Sequence, residues 1–452
     1  MKRSIFSSLV VLAVILCFFA SMAWAIDWLK VEDIKDMPKT VVRYWYYETP
    51  ELTELGEKEK EKFEQLHPNI KVDGRPAPPF VDNWELMSFI LAGTNSHVHQ
   101  SVNMETLWYI DHDLLLPLDV FPDFEKVLNK FDPNTTWKWK DGHYYALPWY
   151  GDTYLVGYNK KMVEAAGLDP SKPPIYYDEF FEWCDKLVVR DETGKIIKPA
   201  LVIHSGEEWW RFIMQAYNPI IANTGSGDYI SKDGTKATFN NPGWLEVYEF
   251  LSEGVRKGYF GVEPWNVNPW FSGDVAIDWM LSPWTLADVK RMAPPDFEFF
   301  AGPYPKSRNS TVEGNPTRLF VREFILIRER KLKGEAAQRT DRAAWEYMKF
   351  LLEDEQLANT YRVSGALPCV KDLETNPLFT AITDTLHPVI KQLIEARKTA
   401  INCDINSPKT TEVQSVLTQM TVKVLLGEDP KEALKWGEEE ANKILSGEKV
   451  IY

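Results

Sequence analysis

The sequence has little cysteine, little histidine and no excess of basic charge. Four cysteines and seven histidines are spread over 452 residues, and neither residue type shows the spacing of a zinc or redox site. Lysine and arginine number 51 against 66 aspartates and glutamates, which gives a net charge of −15. A nucleic-acid-binding protein needs a basic face that displaces counterions from phosphates. We therefore expect no nucleic-acid partner, no metal and no cofactor.

The cysteines that follow the N-terminal segment are too few and too far apart for a disulfide framework. Cys184, Cys369 and Cys403 are odd in number, so one disulfide at most could form among them. We expect buried or inert thiols at these positions.

The N-terminal 25 residues have the pattern of a signal peptide. Lys2 and Arg3 precede an apolar run at residues 5–20, and Ala23-Trp24-Ala25 supplies small residues at both recognition positions for cleavage. The apolar run is short of the ~20 residues that a membrane-spanning helix needs. We predict cleavage before Ile26 and export to the periplasm.

Length and aromatic side chains are what the sequence has in abundance. A chain of 452 residues exceeds the roughly 250–300 residues at which single cores stop growing, so about two domains are expected. There are 18 tryptophans, 19 tyrosines and 23 phenylalanines. Packing accounts for most of them, since large aromatic side chains fill a core well, but aromatic residues in loops need another explanation.

The segment after the signal peptide predicts a strand, a helix and a second strand. Residues 41–47 are β-branched and aromatic, Thr49 suits a helix N-cap, and Pro50 suits the first helical position. The helix is predicted to end at His67, and residues 70–72 resume as a strand. This βαβ pattern indicates an α/β fold with a parallel sheet.

The carboxyl end of the first strand is a candidate ligand site, because ligands of such sheets bind beyond that edge. Tyr46, Tyr47 and Glu48 stand there. Trp45 and Tyr47 alternate on the strand and point to the same side, which could be either core or ligand cleft.

Further along, the pattern favours a hairpin followed by helices. Residues 137–145 alternate around Asp141-Gly142, a strong hairpin signal. Helices are predicted at about 178–187, from Thr340 onward and near the C-terminus, where apolar residues share one helical face. Residues 294–316 are rich in proline and suit a crossing between domains.

Six phrases occur in order over nearly all of the chain after the signal peptide. They are F-E-Q-L-H-P-N-I-K-V at 63–72, G-H-Y-Y-A-L-P at 142–148, Y-N-K with A-G-L-D at 158–169, F-S-G-D-V-A-I at 271–277 with Pro283-Trp284, the helical stretch 343–352 with G-A-L-P at 365–368, and L-G-E with A-L at 426–434. Together they resemble the bacterial extracellular solute-binding proteins of family 1, the group that includes maltose-binding protein. The chain departs from the family pattern at Ile277-Asp278, where methionine is usual, and at Ser282, where glycine is common.

The resemblance implies a fold of the periplasmic-binding-protein type II kind, with two α/β lobes, two or three hinge crossings and a ligand cleft between the lobes. The N-terminal lobe would hold residues 26–148 plus about 305–335, and the C-terminal lobe 149–304 plus about 336–452. Crossings are expected near 148–155, 299–306 and 328–340.

A sugar site needs flat aromatic surfaces for C–H faces, and carboxylates and amides for hydroxyl groups. Both residue types recur at positions that the resemblance places in the cleft. The candidate ligand-binding residues are Trp45, Tyr47, Glu48, Asn103 and Glu105 in the first lobe, Trp149, Tyr150 and Asp152 at the first crossing, and Glu207, Trp209, Trp210, Trp270 and Trp284 in the second lobe. Trp183, Trp345 and Trp436 fall in helical patterns and are expected in the core.

The resemblance also implies a function without catalysis. The protein would capture a neutral sugar or oligosaccharide by hinge closure and deliver it, as a monomer, to the permease subunits of an ABC importer. Two alternatives remain at this point. One is a secreted glycoside hydrolase, with Asp152 and either Glu105 or Glu207 as its carboxylate pair. The other is the same fold binding a different polar solute, such as a polyamine or glycerol phosphate.

Overall fold

The computed structural model describes residues 26–46, 49–76, 83–264, 268–403 and 405–449. The predicted signal peptide and two candidate site residues, Tyr47 and Glu48, lie outside these ranges, so their assignments stay predictions.

Thirteen strands are present in the described residues. In chain order they are β1 (Thr40–Tyr46), β2 (Ile70–Pro76), β3 (Val98–Val102), β4 (Ala146–Asp152), β5 (Leu155–Asn159), β6 (Val189–Arg190), β7 (Ile196–Lys198), β8 (Leu201–Ser205), β9 (Phe260–Pro264), β10 (Ile277–Leu281), β11 (Phe299–Gly302), β12 (Arg318–Leu326) and β13 (Ile401–Asn402).

Fifteen α-helices accompany them. They are α1 (Pro50–Leu66), α2 (Asn83–Ala92), α3 (Asn103–Asp111), α4 (Phe124–Leu128), α5 (Lys160–Ala165), α6 (Tyr177–Leu187), α7 (Asn218–Thr224), α8 (Pro242–Arg256), α9 (Pro283–Met292), α10 (Glu335–Leu351), α11 (Asp354–Ser364), α12 (Pro377–Thr383), α13 (Val389–Arg397), α14 (Thr410–Leu425) and α15 (Pro430–Ser446). None of the described helices is both long enough and apolar enough to cross a membrane.

The strands form two main sheets, one in each lobe. The first sheet has the order β13-β12-β3-β1-β2, with β4 also paired to β12. The second has the order β11-β5-β10-β8-β9. Within the second sheet β8 runs parallel to β9 and β10, so the carboxyl ends of these strands share one edge. The predicted two-lobed α/β architecture is confirmed.

The predicted opening of the first lobe is also confirmed. The Thr49 hydroxyl accepts a hydrogen bond from the Leu52 amide, and Pro50 is the first helical residue. His67 caps the other end of α1, and β1 pairs in parallel with β2. Local capping chemistry therefore set these boundaries.

The predicted hairpin at residues 137–145 does not form a strand pair. The tight turn is present, since the Trp139 amide bonds the His143 carbonyl. The arms then go to different partners: the Trp137 indole donates to Glu323, and the Tyr144 carbonyl accepts from the Leu118 amide. Tertiary contacts thus replace the cross-strand ladder.

Two of the three predicted crossings coincide with passages between the sheets. β4 belongs to the first sheet and β5 to the second, so the chain crosses at Thr153-Tyr154, and it returns between β11 and β12 at residues 303–317.

The third passage differs from the prediction. Helix α10 packs on β1, β3 and β12 of the first sheet, whereas residues 336–452 were assigned to the second lobe. Helix α11 touches α1 of the first lobe and α9 of the second, and α14 and α15 pack on α8 of the second lobe. Strand β13 still pairs with β12 of the first sheet, so in this packing the chain passes to the second lobe after α13 and not near residues 328–340.

Candidate functional site

The edge of the second sheet where β8 and β10 end holds Trp284 in a fixed position. Ser282 and Thr285 form a capping box, in which the Ser282 hydroxyl accepts from the Thr285 amide at 3.3 Å. Pro283 occupies the first helical position of α9, where its fixed φ is favourable. The Trp284 ring, half-buried, is thereby held in the first turn of the helix.

Trp284 meets the first crossing through Tyr150 and Asp152. The ring centroids of Tyr150 and Trp284 are 5.8 Å apart, and the Trp284 side chain lies close enough to the Asp152 carboxylate to oppose the rise in its pKa. The Leu367 amide also donates to Asp152 Oδ1, at 3.2 Å. Three residues predicted for the site are thus brought together across the passage between lobes.

Burial makes Asp152 an unusual carboxyl group. Its side chain is 1% exposed, and burial raises its pKa to about 7 against the opposing effects of its hydrogen bonds and of Arg397 and Arg322. Its Oδ2 accepts no hydrogen bond from the described residues. A buried acceptor of this kind is suited to a ligand hydroxyl group.

The positive charge of Arg322, on β12, acts both on Asp152 and on the predicted first-lobe residue Glu105. Burial raises the pKa of Glu105, and the Arg322 charge opposes that rise, as it does for Asp152. The neighbouring Glu323 is fully buried, accepts hydrogen bonds from Thr106 at 2.6 Å and Trp137 at 2.9 Å, and has a pKa raised by burial to about 7. Asp152 and Glu105 thus share the influence of one guanidinium, that of Arg322, while Arg397 also acts on Asp152.

A cavity of about 370 Å³ opens beside Trp284 in the second lobe. Side chains from β8, from the segment before β10, from β10 and from one face of α9 line it, among them His204, Asn268, Asp278, Met280, Trp284 and Asp288. Burial raises the pKa of Asp278 to about 6, opposed by its hydrogen bond with Asn268. The cavity thus combines an aromatic ring, methionines and carboxylates.

Two of the predicted site tryptophans instead make core contacts. Trp45 is 5% exposed and meets Phe89 and His99 edge-on. Trp270 is 0% exposed and packs edge-on against Phe297 and Phe299. These contacts correspond to the packing alternative, and neither ring reaches the cavity beside Trp284.

Asn103 and Trp149 are buried at the border of the site. Asn103 starts α3 and donates its amide to Asn402 Oδ1 at 3.3 Å and to the Cys403 carbonyl. Trp149 lies against Tyr150 and Phe324. Both positions support neighbouring elements in this conformation.

The predicted segment after β8 stays accessible. Glu207 is exposed, and Trp209 and Trp210 are half-buried. The Arg211 guanidinium lies 4.0 Å from the Trp210 ring centroid, so a protein cation already covers part of that ring. The segment follows the strand adjacent to β10 and therefore lies on the same edge as Trp284.

Local sequence patterns missed Arg322, His204 and Asp278. Arg322 was missed because a charged residue in the middle of a strand has no distinctive local pattern. Asp278 did leave a signal, because it stands where the family pattern usually has methionine. Within the described ranges, no group of three or more His, Cys, Asp or Glu residues is arranged to hold a metal ion. Cys184, Cys369 and Cys403 are buried free thiols, as predicted.

The fold has two α/β lobes joined by repeated crossings, and the ends of parallel strands lie beside the first crossing. This arrangement defines the class of two-lobed binding proteins. The family model described as bacterial extracellular solute-binding protein matches residues 60–385. The chain belongs to this family and is a solute-binding protein. Membership of this extracellular family implies that the protein is exported.

Curated relatives carry the name sn-glycerol-3-phosphate-binding periplasmic protein UgpB. The relative from Pectobacterium atrosepticum is 22% identical over 349 residues, covering 73% of each chain. The relative from Escherichia coli is 22% identical over 430 residues, covering 90% of this chain and 92% of its own.

Solved structures share the fold at low sequence identity. The cyclic α-maltosyl-1,6-maltose binding protein from Arthrobacter globiformis has a TM-score of 0.74 and 19% identity, covering 91% of this chain and all of its own. UgpB from Mycobacterium tuberculosis, in complex with glycerophosphocholine, has a TM-score of 0.71 and 18% identity, covering 90% of this chain and 98% of its own. The predicted fold of the periplasmic-binding-protein type II kind is confirmed.

Proposed function

We propose that this solute-binding protein captures a neutral sugar or oligosaccharide between its lobes and delivers it, as a monomer, to the permease of an ABC importer. The observation that carries the proposal is the group formed by Trp284, Tyr150 and Asp152, where a half-buried ring adjoins a buried carboxylate oxygen that lacks a donor within the described structure. A ring face suits sugar C–H groups, and the carboxylate suits a hydroxyl. The name of the Arthrobacter structure also supports a sugar ligand.

The proposal includes no catalytic step. A glycoside hydrolase needs one carboxyl as acid and a second as nucleophile or base across the scissile bond. Here the positive charge of Arg322 opposes the rise in the pKa of both Asp152 and Glu105. The third candidate carboxyl, Glu207, is exposed on the segment after β8. Recovery of an unchanged oligosaccharide after prolonged incubation is the expected result.

Thermal melting and intrinsic tryptophan fluorescence test the binding proposal. We expect at least one probe from a panel of neutral oligosaccharides, beginning with maltotriose, to raise the melting temperature, because a ligand of the folded state stabilises it by mass action. Trp284→Ala should weaken binding by at least about tenfold, or ~1.4 kcal/mol, and Trp284→Phe should restore part of it.

Trp436→Ala is the matched control. Trp436 is half-buried on α15, with the Lys423 ammonium 4.7 Å from its ring centroid, and it lies outside the proposed site. Equal losses in the two alanine variants, or no response of the wild type to any sugar, would contradict the proposal.

A second candidate ligand is a glycerol phosphate, which the names of the curated relatives favour. Arg322 and Arg397 are two described cations whose charges act on Asp152, and such charges could serve a phosphate. Glycerol 3-phosphate and glycerophosphocholine therefore belong in the same panel. A stabilising response to these probes alone would select this candidate.

A further inference from the structure

Asp278 carries a buried carboxylate oxygen without a protein donor. Its side chain is 5% exposed, and Oδ2 accepts no hydrogen bond from any described residue. The other oxygen, Oδ1, accepts from Asn268 Nδ2 at 2.9 Å and from the Met280 amide at 3.4 Å. Since buried polar atoms in folded proteins are nearly always paired, this oxygen is available to a donor from outside the protein, such as a ligand hydroxyl group.

This side chain faces the 370 Å³ cavity beside Trp284. Its position is set by the hydrogen bonds that Oδ1 accepts from the Asn268 side chain and the Met280 amide. Asp278 therefore presents its acceptor to the cavity before any ligand arrives.

The charges around the cavity leave Asp278 without a counter-ion in the described structure. Asp288 also faces the cavity, but Arg291 forms an ion pair with it at 2.6 Å. Burial lowers the pKa of His204, so this ring adds no positive charge at neutral pH. The lining thus has one uncompensated negative charge when Asp278 is ionised.

We propose that Asp278 is a specificity-determining residue, whose free oxygen accepts a hydrogen bond from a hydroxyl group of the bound sugar and repels a phosphate. The site would then take a neutral sugar and reject its phosphorylated counterpart. This inference rests on the proposed function, because it requires the ligand to lie beside Trp284. Juxtaposing like charges at a dehydrated contact is costly, whereas a hydroxyl donor removes the unpaired acceptor.

Isothermal titration calorimetry with matched probes tests the inference on the full exported chain. The probes are the neutral sugars of the panel and their phosphate esters, starting with glucose and glucose 6-phosphate, and with glycerol and glycerol 3-phosphate. We expect the wild type to prefer the neutral member of a pair by about tenfold or more. In Asp278→Asn, which keeps the shape and removes the charge, the preference should fall to within about threefold.

Asp274→Asn is the control, since Asp274 is an exposed carboxylate before the same strand and pairs with Lys198 at 2.8 Å. It should keep the wild-type preference. If Asp278→Asn unfolds, Asp278→Ser gives the same comparison. A wild type that binds the phosphate ester as tightly as the neutral sugar, or an Asp278→Asn variant with an unchanged preference, would overturn this inference and leave solute binding intact. A wild type that binds no neutral sugar would overturn both proposals.

Discussion

Three buried carboxyl groups near the site, Asp152, Asp278 and Glu323, have pKa values raised by burial. Taking a carboxylate out of water destabilises the folded protein unless a partner compensates. Glu323 has two hydrogen-bond donors, but Asp152 and Asp278 each keep an oxygen without a donor in the described structure. Such uncompensated acceptors in one region are typical of a binding site.

The pH dependence of stability follows from Asp152. Its pKa is 3.8 when the side chain is unperturbed and about 7 in the folded protein, so the folded form holds the proton more tightly and stability falls as pH rises between these values. We expect Asp152→Asn to lose less unfolding free energy than the wild type between pH 5 and 8. Urea denaturation at several pH values measures this. Parallel curves for the two proteins would contradict it, and Asp274→Asn should follow the wild type.

The sequence predicted individual site residues only where a pattern fixed their surroundings. Trp284 follows Pro283 in a phrase shared with the family, and Asp152 ends an aromatic stretch at the crossing that the resemblance implies, so both could be assigned to the cleft, although Asp152 stands at the end of β4 and not in a loop. Alternation put Trp45 on one side of β1 but could not say that α2 and α3 would cover that side. The contact between Trp45 and Phe89 depends on the tertiary structure, which local periodicity cannot predict.

Among the secondary-structure elements, those with local capping signals were predicted to within a residue or two. α1 begins at a Thr49 cap followed by proline, and its boundaries depend on nothing remote. The lobe to which α10 belongs could not be predicted in this way. Its amphipathic face requires burial, but only contacts such as Trp345 stacking on Phe121 determine which lobe receives it.

The first crossing offers a prediction about how the connecting strands are held. Thr153, fully buried between β4 and β5, donates its hydroxyl to the Leu393 carbonyl on α13 at 2.8 Å. Thr153→Val keeps the shape but leaves that carbonyl without this donor, so we expect a loss of about 1–3 kcal/mol in unfolding free energy. Thr153→Ser retains the hydroxyl and should cost less. Equal stabilities of the valine and wild-type proteins in urea would contradict this role.

For the whole molecule, the division into lobes is a proposal that the packing supports in part. One hydrophobic cluster joins the first sheet to α10–α13 and also takes in Trp270, Leu281 and Phe299 from the second lobe. A second cluster contains most of the second lobe with α14 and α15. Because apolar contacts continue across the crossings, the lobes share structure near the hinge, and hinge motion must occur around that shared part.

A ligand held between the lobes should stabilise both of them. The proposed site takes Trp284 from the second lobe, Asp152 from the crossing and Glu105 from the first lobe. At a free concentration of 100 times Kd, the ligand should add ~2.7 kcal/mol to the unfolding free energy. Hydrogen exchange on the sugar-bound protein should show added protection in β3 and α3 of the first lobe as well as in β8, β10 and α9 of the second. Trp284→Ala at the same sugar concentration should lose protection in both lobes together. Protection confined to the second lobe would mean that the ligand occupies only the cavity beside Trp284, and it would contradict a site formed by both lobes.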